Sequence, residues 1–281
     1  MYESYWGLSE SPFLNTLDER WYFEGTQHDE ALARLYYLVE HRRQCGLLTG
    51  IGGTGKSLLL AMLANQVRRT QRQAVWLDLL GLSGGELLWQ VAAQLNLAPV
   101  EGAPLSILWR AVRDQLHALR LSQLQTVILV DRLDRADEDC VQMLERLLQL
   151  DQGPSCWVTL VGATRSPALR GSSAGLVERS DLRVELIPWT PEETGEYVRA
   201  ALRRAGCDRE LFDDEALQAV FECSRGIPRN VNRVCDLSLL AAMGQPLETI
   251  DAATVHAAAE ELQAPVEVTP VYAARRTAAI H

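Results

Sequence analysis

At 281 residues, with 47% hydrophobic and 23% charged side chains, the chain has the make-up of an ordinary soluble globular protein, with room for one large domain or for a medium and a small one. A formal net charge of -10 and a pI near 5.1 argue against a general nucleic-acid binder, although a local basic patch stays open. The opening residues lack a basic segment followed by an apolar stretch, and no apolar run approaches the roughly 18–20 residues of a membrane span. A cytoplasmic location is the expectation. Six scattered cysteines show no CxxC pair and no histidine at ligand spacing, which reads as buried reduced thiols.

Strand-like and helix-like segments alternate through the first two thirds of the chain. Residues 45–50 form an apolar strand, and 57–70 a long helical pattern that ends in basic residues. A second strand is expected over 74–80, then helices over 85–95 and 107–121. The strand 126–131 (TVILVD) is followed by a helix over 137–150, a strand over 156–164 and a short last one over 182–186. Strands that are apolar throughout, separated by helices, predict a parallel sheet covered on both faces.

After Pro188 no strand pattern remains. Thr190, Pro191 and Glu193 make a capping box with proline at the first helical position, Asp213 can cap a second helix, Pro228 starts a third and Asp251 a fourth. The expected division is a nucleotide-binding core over 1–188, a small all-helical domain over 189–263 and a poorly ordered tail over 264–281.

The chemistry sits at the junctions. Gly50-Ile51-Gly52-Gly53-Thr54-Gly55-Lys56-Ser57 fits GxxxxGK[ST], with the required strand before it and helix after it. The glycines let backbone N–H groups turn inward around phosphates, Lys56 brings charge to the β- and γ-phosphates, and the Ser57 hydroxyl ligates Mg²⁺. Leu58 follows in the first helical turn, whose positive dipole end faces the same anion. ATP and Mg²⁺ are the expected cofactors.

Asp131 ends the strand 126–131, where an aspartate beside the phosphate loop can hold Mg²⁺; the bland alternative is a capping aspartate. Thr164 ends the next strand and suits either a nucleotide-sensing role or a turn that satisfies its own backbone.

The stretch YWGLSESPF (5–13), QHDEALARLYYLV (27–39), the phosphate loop, the 126–131 strand and SRGIPRNVNRVCDLSLLAA (224–242) occur together. This combination resembles the AAA+ ATPases of the general secretion pathway protein A (ExeA-like) family, over about residues 1–262. The resemblance implies an α/β fold, a P-loop NTPase αβα sandwich followed by a helical lid, with ATP between them and the N-terminal segment near the adenine. It implies a homo-oligomer in which an arginine from a neighbouring subunit completes the site. Arg229, in GIPRN, matches the sensor 2 arginine. Arg179 and Arg183 lie where the family presents its arginine finger, and Arg179 fits the pattern better. Longer members carry a membrane span and a periplasmic peptidoglycan-binding region after the ATPase module, whereas this sequence stops soon after the lid.

One position departs from the family. Its magnesium-binding strand usually ends in Asp-Glu, and here Arg132 follows Asp131. Arginine stays charged and cannot accept a proton from the attacking water. Asp134 is the first candidate to stand in, with Asp137 or Glu138 as others; turn formation and helix capping are the plain alternatives for all three. Restoring glutamate at 132 would then raise turnover. Three functions remain in view: an oligomeric ATPase serving a secretion- or pilus-type envelope complex, an ATP-dependent switch with weak or no hydrolysis, and a DNA-binding transposition-type ATPase, against which the acidic balance counts.

Overall fold

A computed structural model describes residues 2–151, 153, 155–165 and 174–263. The proposed tail over 264–281 lies outside the described residues. Five strands, β1 (Cys45–Thr49), β2 (Gln73–Asp78), β3 (Thr126–Asp131), β4 (Val158–Ala163) and β5 (Leu182–Glu185), pair all in parallel in the order β2-β3-β4-β1-β5.

Alternation of side chains along each strand sends neighbours to opposite faces. Val127 and Leu129 pack under α2 (Thr26–Glu40) and α3 (Lys56–Arg69). Ile128 and Val130 face α4 (Gly84–Gln94), α5 (Leu105–Leu121) and α6 (Glu138–Gln149). The sheet is therefore buried on both sides, as its uninterrupted apolar strands require. This is the α/β P-loop sandwich that the sequence predicts.

β4 lies between β1 and β3, so the strand that carries Asp131 is not the immediate neighbour of the one leading into the phosphate loop. Asp131 reaches the loop across the C-terminal end of β4. On the outer edge of β2, the Gln94 side chain accepts from the Trp76 N–H and donates to the Trp76 carbonyl, each at 2.7 Å. An amide side chain thus takes the hydrogen bonds that another strand would seek.

Beyond β5 the chain is helical: α8 (Pro191–Arg204), α9 (Asp214–Ser224), α10 (Pro228–Gly244) and α11 (Ala252–Gln263). The Thr190/Glu193 capping box and the Asp213 cap form as expected, and Asp251 receives the Thr254 N–H at 2.9 Å. Two short helices were not anticipated, α1 (Tyr2–Trp6) and α7 (Ala174–Glu178). The first packs far from its place in the sequence. Tyr2, Trp6, Leu8 and Phe13 share a core with Val198, Phe212, Val220 and Leu239 of the helical region, and the Trp6 indole N–H donates to the Leu239 carbonyl at 3.1 Å. Five of the six cysteines are buried. Among the described residues no helix is long and apolar enough to cross a membrane.

Candidate nucleotide-binding site

The phosphate loop turns on glycines that no other residue could replace without strain. Gly50, Gly53 and Gly55 take φ values of 143°, 95° and 97°. A β-carbon on Gly50 would stand 2.4 Å from the Leu186 carbonyl oxygen, and one on Gly53 would stand 2.9 Å from Arg229 Cβ. The loop is therefore closed against β5 on one side and against the start of α10 on the other.

Lys56, the only lysine in the sequence, begins α3 and is buried. Its ammonium donates to the carbonyls of Gly50 at 2.5 Å and Ile51 at 2.7 Å, while the Thr54 hydroxyl donates to Ile51 at 3.0 Å. Burial pulls the Lys56 pKa down to about 8, against the opposing pull of Asp131 and Asp134. Gly52, Gly53, Gly55, Lys56, Ser57 and Leu58 line a cavity of about 450 Å³, which Gly50, Ile51 and Thr54 do not border.

Ser57 and Asp131 meet at this cavity. The Ser57 hydroxyl donates to Asp131 Oδ2 at 2.6 Å, and the Arg132 backbone N–H donates to Asp131 Oδ1 at 2.8 Å. One hydroxyl and one carboxylate are hard oxygen donors, the kind of sparse set that suits Mg²⁺, whose remaining positions go to water and phosphate.

Arg132 adopts a left-handed conformation (φ 55°, ψ 42°) and borders the same cavity. Its guanidinium grips Asp78 at the end of β2 with two hydrogen bonds, Nε to Oδ1 at 2.6 Å and Nη2 to Oδ2. A glutamate at 132 would face the Asp78 carboxylate, so the expected gain from Arg132→Glu depends on neutralising Asp78 as well.

The three carboxylates considered as stand-ins separate clearly. Asp134 lines the cavity and accepts the Arg165 N–H at 3.1 Å. Asp137 caps α6 by accepting the Cys140 N–H at 2.8 Å, and neither it nor Glu138 borders the cavity. Thr164 is buried just past the end of β4, with its N–H on the Leu48 carbonyl at 2.9 Å; its neighbours Ala163 and Arg165 border the cavity.

Arg229 sits in the first turn of α10 and lines the cavity, with its backbone N–H on the Gly53 carbonyl at 3.2 Å. Arg179 is exposed beyond α7 and does not border the cavity. Arg183 is also exposed, its guanidinium engaged by Ser180 and the Val177 carbonyl.

Several lining residues escaped sequence reasoning. Arg165 projects near Gly52, from the residue directly after Thr164. The rule that sites gather at the carboxyl ends of parallel strands could have found it. Part of the cavity lining is aromatic, with Trp21, Tyr22 and Phe23 from the N-terminal segment and Trp189 and Tyr197 from the helical side. His28 lies beside Trp189 and engages the Thr54 carbonyl through Nε2 at 2.8 Å, which fixes the proton on Nε2. Burial lowers the pKa of His28.

A family model described as an AAA domain matches residues 39–168. General secretion pathway protein A of Aeromonas hydrophila is 31% identical over 270 residues, covering 93% of this chain and 48% of that protein. The chain thus contains an AAA domain and is similar along most of its length to general secretion pathway protein A. It spans about half the length of that relative.

Among solved structures, Cdc6p from Pyrobaculum aerophilum superposes with a TM-score of 0.67 at 17% identity, over 87% of this chain and 71% of that one. The ORC1 protein of Aeropyrum pernix, solved in complex with DNA, gives 0.64 at 18%, over 90% and 71%. The RuvB Holliday junction branch migration motor of Thermotoga maritima gives 0.56 at 22%, over 90% and 74%. At these identities the likeness is one of fold.

Proposed function

We propose that this AAA+ chain binds ATP with Mg²⁺ between its sandwich and its C-terminal helices and hydrolyses it, in the service of a secretion- or pilus-type envelope complex. The observation that carries the reading is the Ser57–Asp131 contact at 2.6 Å, next to Lys56 in a glycine-shaped loop. Lys56 and the loop N–H groups would hold the phosphates, Ser57 and Asp131 the metal, and the aromatic part of the cavity the base. Magnesium would neutralise charge on the β- and γ-phosphates.

Arg229 supports the same reading. A cation in the first turn of a helix opposes the macrodipole at a cost of about 0.3–1 kcal/mol, which an anion in the adjoining cavity offsets. Asp134 is proposed to orient the attacking water, a reading supported by its position on the cavity and by the Arg165 N–H that it accepts. Thr164 is proposed as the residue that registers the γ-phosphate. Arg179, exposed and outside its own cavity, suits donation to the site of a neighbouring copy, so the working unit would be a homo-oligomer.

The proposed division into a core over 1–188 and a lid over 189–263 follows from this scheme. The second reading, a switch with slow or no hydrolysis, is favoured by Arg132 standing where the family has glutamate.

Turnover separates the two. Lys56→Ala should abolish nucleotide binding. Asp134→Ala should lower turnover by about 10²–10⁴-fold while binding persists. Equal rates for wild type and Asp134→Ala would remove Asp134 from the mechanism, and absence of turnover in wild type would favour the switch. At saturating Mg²⁺, the pair Arg132→Glu with Asp78→Asn should raise the rate. DNA-stimulated turnover with salt-sensitive binding would instead support a DNA-directed role.

A further inference from the structure

Asp78 belongs to no motif. It ends β2 directly opposite Asp131 in the parallel register, and the Arg132 guanidinium covers both of its oxygens. A residue with a β-carbon is disfavoured in the left-handed region, yet Arg132 stands at φ 55°. That conformation does one thing for the site: it directs the Arg132 N–H onto Asp131 Oδ1, while Ser57 holds Oδ2.

We propose that Asp78 is a positioning residue for the metal site: by holding the Arg132 side chain it holds the left-handed turn, and through that turn it orients the Asp131 carboxylate. The proposal rests on reading Ser57 and Asp131 as magnesium ligands. Without Asp78 the turn relaxes toward an allowed region and its N–H leaves Asp131. The freed guanidinium is then left beside a carboxylate with which it can pair. Both changes weaken the hold on a divalent cation and leave the phosphate loop itself untouched.

Glycine at 132 distinguishes conformation from charge, because glycine takes the left-handed region without an anchor. The measurement is the Mg²⁺ concentration that half-saturates binding of a fluorescent ATP analogue to the full chain. It is made for wild type, Asp78→Ala, Arg132→Ala, Arg132→Gly and the double variant Asp78→Ala/Arg132→Gly. Asp78→Ala and Arg132→Ala should each raise it on the order of tenfold, the change that matches the steric cost of the left-handed region. Arg132→Gly should need less Mg²⁺ than Arg132→Ala, and adding Asp78→Ala to the glycine background should change nothing further.

The positioning role is overturned if alanine and glycine at 132 behave alike, or if Asp78→Ala matches wild type. It is also overturned if Asp78→Ala does equal harm in both backgrounds. Affinity in the presence of a chelator provides the structural control. An equal loss with and without Mg²⁺ means general damage and also overturns the proposal. Wild-type binding that is indifferent to Mg²⁺ would remove the metal reading of Ser57 and Asp131, and the role of Asp78 with it.

Discussion

Lys56 meets two demands that pull in opposite directions. Buried against the Gly50 and Ile51 carbonyls, its ammonium is costly, and its pKa falls to about 8. Phosphate oxygens favour the charged form, so bound nucleotide raises that pKa again. The sign for binding follows. Below about pH 8 the amine is protonated in both states and affinity is flat. Above it the free protein must take up a proton to bind, and affinity falls as pH rises. Calorimetry in buffers of different ionisation enthalpy should therefore show proton uptake on ATP binding above about pH 8 and none well below it. Arg132 shows the same local logic in another form, a strained backbone fixed by a partner 54 residues away in sequence.

At the scale of elements, the passage from β5 into the helices turns on Gly226. It takes φ +65° after α9, and a β-carbon there would lie 2.0 Å from the Trp189 carbonyl oxygen. Trp189 in turn donates its N–H to the Gly226 carbonyl at 2.8 Å. Because the obstructing atom is backbone, Gly226→Ala should destabilise by about 2 kcal/mol or more, read as a lower denaturant midpoint. The phosphate loop, the Asp131 strand and the caps at Thr190, Asp213 and Asp251 were legible in the sequence because each depends on residues within a few positions. The residues that complete the cavity were not. Asp78 and Arg132 meet only because β2 and β3 pair in register, and His28 touches Thr54 only because α2 packs beside the loop. The strand order was hidden for the same reason, since the apolar pattern of β4 does not say which neighbours it separates. α2 itself is legible, with Ala31, Leu32, Leu35, Leu38 and Val39 at helical spacing.

Across the whole molecule, the two ends of the described chain are folded together. Trp6 is 2% exposed within a core built from α8 to α11, and Arg209 donates to the Trp6 carbonyl at 3.0 Å. Between that anchor and the sandwich run residues 14–17, which border the nucleotide cavity and are tied to α10 by Asn232, whose amide donates to the Leu14 carbonyl at 3.3 Å. Any shift of α10 relative to the phosphate loop is therefore felt by this wall of the cavity. Trp6→Ala should cost about 3–5 kcal/mol, measured by chemical denaturation, although the residue lies outside every catalytic motif.

The isolation of Lys56 has a consequence of another kind. Every other cationic side chain that carries a permanent charge is a guanidinium, so this sequence offers amine chemistry a single side-chain target. Acylation of a lysine, attachment of a peptide tag through an isopeptide bond, or cleavage by a lysine-specific protease can each address only the bond or the amine at the heart of the phosphate loop. With Lys56 as the proposed phosphate-binding residue, modification there and occupancy by nucleotide would exclude one another.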